Sequence, residues 1–232
     1  MKKFLVSNKK FSYDEFSPFF LGPVKILLSK ESEKNIKRSQ KYLLHNLNEN
    51  KLIYGVNTGF GNLSNIRIDS GDIEKLQINL IRSHASGIGE PLGLGMVRTV
   101  LFLKLLTFAK GYSGVSLELV KKIIQLFNKD ILPVIPKRGS VGASGDLAPL
   151  GHMALVLIGE GEVFFQGKRL KTILALKKAK IKPLSLKPKE GLSLINGTQV
   201  STAIAIKTLL DGKNLLLSAD IAGALSVENS FS

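Results

Sequence analysis

Cysteine is absent from the 232 residues. That excludes a disulfide framework and thiolate chemistry. Tryptophan is absent too, and histidine occurs three times. His45, His84 and His152 are scattered and no acidic cluster joins them, so no metal site is expected. Long apolar runs are also missing. TVLFLKLL and MALVLIG fall well short of the ~20 residues that span a bilayer. The opening MKKFLVSNKKF carries too short an apolar stretch for a signal peptide. A cytoplasmic protein with no membrane partner is the expectation.

Acidic residues are scarce, 18 against 33 Lys and Arg, and the net charge is +15. Such an excess fits a nucleic-acid or membrane partner, or a lysine-rich bias with no partner. Nine of the basic residues lie between Lys168 and Lys189, without one acid but with Pro183 and Pro188. That segment reads as a solvated connector, not a groove-reading helix, so no nucleic-acid partner is expected. The hydrophobic share of 44% is enough for a sizeable core.

The chain shows no internal repeat. Residues 1–50 read as helix plus loop. GVNTGFGNLSN, 55–65, has three Gly and three Asn, the mark of an irregular loop. Behind Asp72, a candidate N-cap, Ile73, Leu76, Leu80 and Ile81 recur at helical spacing as far as the glycines at Gly87 and Gly89. A second helix is predicted from about Met96 to Lys110. A third follows Ser116 and buries Val120, Ile123, Ile124 and Phe127. Pro133 and Pro136 break the chain ahead of a Gly/Ser loop, GSVGASGD. Asp146 then caps a helix with Pro149 in its first turn, where a missing N–H costs nothing. EVFFQGKRL predicts a β-hairpin turning at Gly167. EGLSLINGTQ reads as a loop ending at Asn196-Gly197, and from Thr198 onward the pattern is helical.

The chemistry-bearing segment is GSVGASGD, and its residues alone leave three readings open. Gly139, Gly142 and Gly145 ahead of a helix N-terminus could cradle a phosphate. The Gly-Lys-Ser/Thr ending of a P-loop is missing, however, and Asp146 stands where the anion would sit. A nucleophile elbow would need Gly in place of Asp146. The third reading is a flexible loop with a helix cap.

The longer string GSVGASGDLAPLGHMALVLIGEGE is similar to the signature of the aromatic amino-acid ammonia-lyases, above all their histidine branch. Three more strings agree in order: YGVNTGFG at 54–61, NLIRSHASGIGEPL at 79–92 and KEGLSLINGTQ at 189–199. The resemblance runs from about Leu52 to Glu228. It implies that Ala143-Ser144-Gly145 cyclises on its own to 4-methylidene-imidazol-5-one, with no external cofactor. The residue types suit that reaction. The Gly145 amide, with no flanking side chain, can approach the Ala143 carbonyl. Ser144 carries a hydroxyl that can leave, and Ala143 is small enough for the bend. A helix starting near Asp146 favours negative charge developing in the loop.

By the same resemblance the chain is an enzyme that converts L-histidine to urocanate and ammonia. Tyr54 matches the tyrosine proposed to remove the β-proton, and Asn196 an asparagine beside the cofactor. Outside the motif, Tyr54 would read as a packed loop tyrosine and Asn196 as a turn residue. Ser83-His84 matches the pair that lines the pocket for the substrate ring, in the histidine pattern of a small residue followed by His. An imidazole needs a hydrogen-bonding partner there.

The implied fold is mainly α: an N-terminal cofactor-loop domain with a short β-hairpin at 1–196, then at 197–232 the start of a long-helix bundle, cut short. Family members are roughly twice as long and form homotetramers. Their C-terminal half supplies further site groups, including the arginine that binds the substrate carboxylate. Two alternatives accompany the lyase reading: a truncated, non-catalytic fragment, or one half of a split lyase with a separate C-terminal half. A tyrosine or phenylalanine ammonia-lyase and a basic nucleic-acid binder stand behind these.

Overall fold

A computed structural model describes residues 2–49, 51–59, 61–63 and 65–230. Phe60 of YGVNTGFG and the last two residues of SVENSFS lie outside them. The helices are α1 (Ser17–Leu21), α2 (Lys30–Asn48), α3 (Ile73–His84), α4 (Leu94–Ala109), α5 (Leu117–Asn128), α6 (Leu147–Leu155), α7 (Thr172–Ala179), α8 (Glu190–Ile195) and α9 (Gln199–Asn229). The strands are β1 (Lys3–Val6), β2 (Lys25–Leu28), β3 (Ile88–Pro91), β4 (Leu132–Pro133), β5 (Pro136–Arg138), β6 (Glu162–Phe165) and β7 (Lys168–Lys171). The architecture is mainly α with small β elements, as the sequence implied.

α4 is the centre of the core. Apolar residues occupy nearly its whole circumference, and such a helix must be buried on all sides. Phe102 of α4 contacts the rings of Phe4, Phe11, Phe16 and Phe19, which come from the N-terminal segment. Each of these large rings removes substantial apolar area from water, so the N-terminal segment is held mainly by burial. α5 is amphipathic, starts at Ser116, whose hydroxyl accepts from the Leu119 amide, and buries Leu119, Val120, Ile123, Leu126 and Phe127. Ile124, expected in that face, is only partly buried.

Several expectations are corrected. Residues 1–50 contain a parallel pair, β1 with β2, because Phe4, Val6, Val24 and Ile26 face the core. The hairpin β6–β7 forms as read, with a third strand, β4, added on β6. The basic segment is a packed element and not a solvated connector: β7 and α7 fall within it, and Ala175, Leu176, Ile181, Leu184 and Leu186 are buried. Its lysines are spaced so that apolar residues between them still reach the core. EGLSLI is helix α8, not loop. Asp72 and Asp146 stand at the N-cap positions of α3 and α6, but neither side chain makes the capping hydrogen bond.

The start of α9 packs on α4 and buries Gln199, Val200, Ala203 and Ile206. From Asp211 to Ser230 every residue is exposed, among them Leu215, Leu216, Leu217, Ile221 and Leu225. No helix among the described residues is long and apolar enough to cross a membrane.

Candidate active site

Three elements converge on the loop that joins β5 to α6. The first is the segment before α3. Its turn is tied by side chains: the Ile53 amide donates to Asn57 Oδ1 at 2.7 Å, and the Gly55 amide to Thr58 Oγ1 at 3.1 Å. Asn57 in turn donates to the Lys51 carbonyl at 2.8 Å. The Asn and Thr of this motif thus replace backbone pairing and fix Tyr54 on the turn. Tyr54 is 57% exposed, and its hydroxyl accepts from the Gly61 amide at 3.4 Å.

The second element is α3. Gln77 is fully buried; its Nε2 donates to the Gly55 carbonyl at 3.3 Å and its Oε1 accepts from the Leu192 amide at 3.1 Å. One side chain therefore couples the Tyr54 turn to α8. A Cβ on Gly191 would lie 2.6 Å from the Gln77 carbonyl oxygen, so only glycine permits this approach of α8 to α3. One and two turns further along α3 stand Leu80, Ser83 and His84. His84 Nδ1 lies 2.8 Å from the Leu80 carbonyl oxygen, which can only accept. That contact assigns a proton to Nδ1, and in the tautomer protonated there alone Nε2 is the acceptor.

The third element is the turn Asn196-Gly197 between α8 and α9. The Asp146 amide donates to the Gly197 carbonyl at 2.7 Å. Gly145 has φ +140°, and a Cβ there would meet Gly197 N at 2.8 Å and its carbonyl oxygen at 2.9 Å. Backbone therefore closes on backbone at this point, which requires glycine for both its conformation and its size. The buried Asp146 carboxylate accepts from Ser140 Oγ at 2.8 Å, from the Ser201 amide at 2.8 Å and from Ser201 Oγ. Charge-assisted bonds of this kind contribute roughly 1.5–3 kcal/mol each. They pin the loop at both ends to the start of α9.

The result is an open cleft of about 520 Å³ lined by Tyr54, Leu76, Asn79, Leu80, Ser83, His84, Ser144, Leu147, Leu192, Ile195 and Asn196. Tyr54, Ser83, His84, Ser144 and Asn196, which the sequence singled out one motif at a time, share it. Ala143 is exposed in the loop, and Gly145 is buried beneath it. The other histidines lie elsewhere. His45 pairs with Glu49 at 3.1 Å, and His152 Nε2 accepts from the Gly87 amide at 3.0 Å.

Lys104 was not anticipated. It is fully buried in α4, and its ammonium donates to the Asn196 carbonyl and to Gln199 Oε1, both at 3.2 Å. Burial pushes it down to about 7, against the opposing pull of the Asp146 charge. The signal was present in TVLFLKLL, where one lysine interrupts an otherwise apolar helix.

The aromatic amino acid lyase family matches residues 12–230. The chain belongs to that family. Among relatives of this family member, the histidine ammonia-lyase of Photorhabdus laumondii is 46% identical over 228 residues, covering 98% of this chain and 44% of the relative. The crystal structure of histidine ammonia-lyase from Trypanosoma cruzi superposes with a TM-score of 0.90 at 33% identity, over 98% of this chain and 44% of that one. Ergothionase from Treponema denticola, an ergothioneine-degrading enzyme, gives a TM-score of 0.93 at 29% identity, over 98% of this chain and 46% of that one. This member of the family thus spans under half the length of the relatives it matches.

Proposed function

We propose that this chain carries the electrophile-forming part of an ammonia-lyase site that converts L-histidine to urocanate and ammonia. The observation that carries the reading is the single cleft holding Ser144 of Ala143-Ser144-Gly145 together with Tyr54, Ser83, His84 and Asn196. The loop suits 4-methylidene-imidazol-5-one. Ser144 faces the cleft, Gly145 is held in a conformation suited to glycine, and the amide after it is anchored on Gly197. Ring closure joins the Gly145 nitrogen to the Ala143 carbonyl carbon. The Ala143 oxygen leaves as water with the amide hydrogens of Gly145 and Ser144. The Ser144 hydroxyl leaves with its α-hydrogen as a second water. The group so formed supplies an exposed electrophilic methylidene.

The chain's own side chains would do the rest of the work on this side of the site. The Tyr54 oxygen, as the phenolate, would take the substrate β-proton and become the hydroxyl. His84 Nε2 accepts from the imidazole N–H of the substrate ring, beside the Ser83 hydroxyl. Asn196 borders the loop and orients what binds there. Leu76, Leu80, Leu147, Leu192 and Ile195 exclude water along the ring. The same apolar walls would also take a phenyl or phenol ring, which keeps a tyrosine or phenylalanine lyase as the second reading. On the first reading residues 1–196 are the cofactor-loop domain and 197–232 start a helical bundle. The whole enzyme is then a cytoplasmic homotetramer that needs no external cofactor, its remaining half in the same chain or a separate one.

The test joins the 232-residue chain to a separately expressed C-terminal half from a histidine ammonia-lyase and compares kcat/KM for histidine, tyrosine and phenylalanine. Preference for histidine supports the reading; preference for tyrosine or phenylalanine overturns the substrate assignment.

A further inference from the structure

We propose that Lys104 is a positioning residue for formation of the electrophile: it holds the Asn196–Gly197 peptide against Gly145–Asp146 and so keeps the Ala143-Ser144-Gly145 loop in its closing conformation. The inference rests on the cyclisation reading given above. Its basis is geometric. The carbonyl that Lys104 holds, at 3.2 Å, belongs to the very peptide whose nitrogen and neighbouring carbonyl oxygen confine Gly145. The Gly197 carbonyl also accepts from the Asp146 amide at 2.7 Å, so one dipeptide unit is gripped from α4 on one side and from the loop on the other.

The rest of the environment is arranged around the same amine. Gln199 Oε1 takes a second Lys104 bond at 3.2 Å, and Gln199 Nε2 donates to Thr107 Oγ1 at 3.1 Å, one turn further along α4. The nitrogen sits 5.5 Å from the centre of the Phe108 ring. Asp146, at the start of α6, is the charge whose field reaches it. A lysine fully removed from water in the middle of an apolar helix costs stability. Leucine or methionine would pack there at no such cost, but neither could reach the Asn196 carbonyl with a donor. Either protonation state of the amine can donate to both oxygens, so the clamp does not depend on charge.

The experiment uses the full chain and three variants, Lys104→Met, Lys104→Arg and Lys104→Gln, with folding checked by circular dichroism. Two readouts are followed: the fraction of Ser144-containing peptide lacking two waters after equal incubation, and hydrogen exchange at the Asp146 amide. Lys104→Met should lose about tenfold in cyclisation rate and gain about tenfold in Asp146 exchange, the equivalent of one hydrogen bond. Lys104→Arg, which keeps a donor, should restore both towards wild type. Should Lys104→Met fail to fold, Lys104→Gln carries the test, since its amide stops one bond short, and it should fall between the two. Wild-type rates in a folded Lys104→Met chain, or in Lys104→Gln if that variant carries the test, would overturn the positioning role alone. A folded wild-type chain with no water deficit would overturn the cyclisation reading and this inference with it.

Discussion

Lys104 makes the stability of the protein depend on alkaline pH in a way that Lys104→Met should erase. Burial lowers the folded-state value from 10.5 to about 7, while the unfolded chain keeps the ordinary one. Between those limits the unfolded state binds more protons than the folded state, so stability rises with pH. Below about 7 both states are charged and the contribution is constant. The slope approaches ~1.4 kcal/mol per pH unit, and the whole window corresponds to roughly 5 kcal/mol as a ceiling. Lys189 is also lowered by burial and acts in the same direction, but it is present in both proteins and cancels in the difference. Asp146, the charge whose field reaches Lys104, is common to both as well. Urea unfolding of wild type and Lys104→Met across this range measures the effect. The wild type should gain on the variant steadily above neutrality. Parallel stability curves would refute the burial argument.

Gly145→Ala should cost about 2–4 kcal/mol, from the strained φ of +140° and from a Cβ 2.8 Å and 2.9 Å from Gly197 backbone that cannot swing aside. Urea unfolding checks this, and an unchanged midpoint would contradict the contact. His84→Phe removes the acceptor for an imidazole N–H. In the joined assembly it should lower kcat/KM for histidine by about tenfold or more relative to phenylalanine. The cleft has no Arg or Lys among its described lining residues. With no cationic anchor for a substrate carboxylate in that described lining, the 232-residue chain alone should release no measurable urocanate, followed by ultraviolet absorbance.

The sequence pattern located the helices α3, α4, α5 and α6 because each combines an apolar stripe or run with a punctuating Ser, Asp or Gly. It located the β6–β7 hairpin through Gln166-Gly167. It missed the β1–β2 pair because a parallel pairing leaves no local turn signature, and the partners are 22 residues apart, as Lys3 and Lys25 are. It misread EGLSLI because a six-residue helix has too few turns for a periodic stripe. Its Gly191 reads as a loop residue until the Gln77 backbone beneath it is known. Lysines at 171, 177, 178, 180 and 182 masked the buried Leu176 and Ile181 between them. In the site, the resemblance led to Tyr54, Ser83, His84, Ser144 and Asn196. It did not lead to the supports. Gln77 and Lys104 act through backbone groups 22 and 92 residues away, distances over which residue spacing carries no information. Asp146 was read as a cap because a helix follows it; Ser140 and Ser201 claim its carboxylate instead.

On the proposed function, the Ala143-Ser144-Gly145 loop makes an electrophile from its own atoms. The most direct measurement is the mass of the proteolytic peptide containing Ser144, taken from chain shown to be folded by circular dichroism. The expected result is a deficit of two waters in the wild type and of at most one in Ser144→Ala, whose side chain has no hydroxyl to lose as the second. An unmodified wild-type mass in folded protein would contradict it.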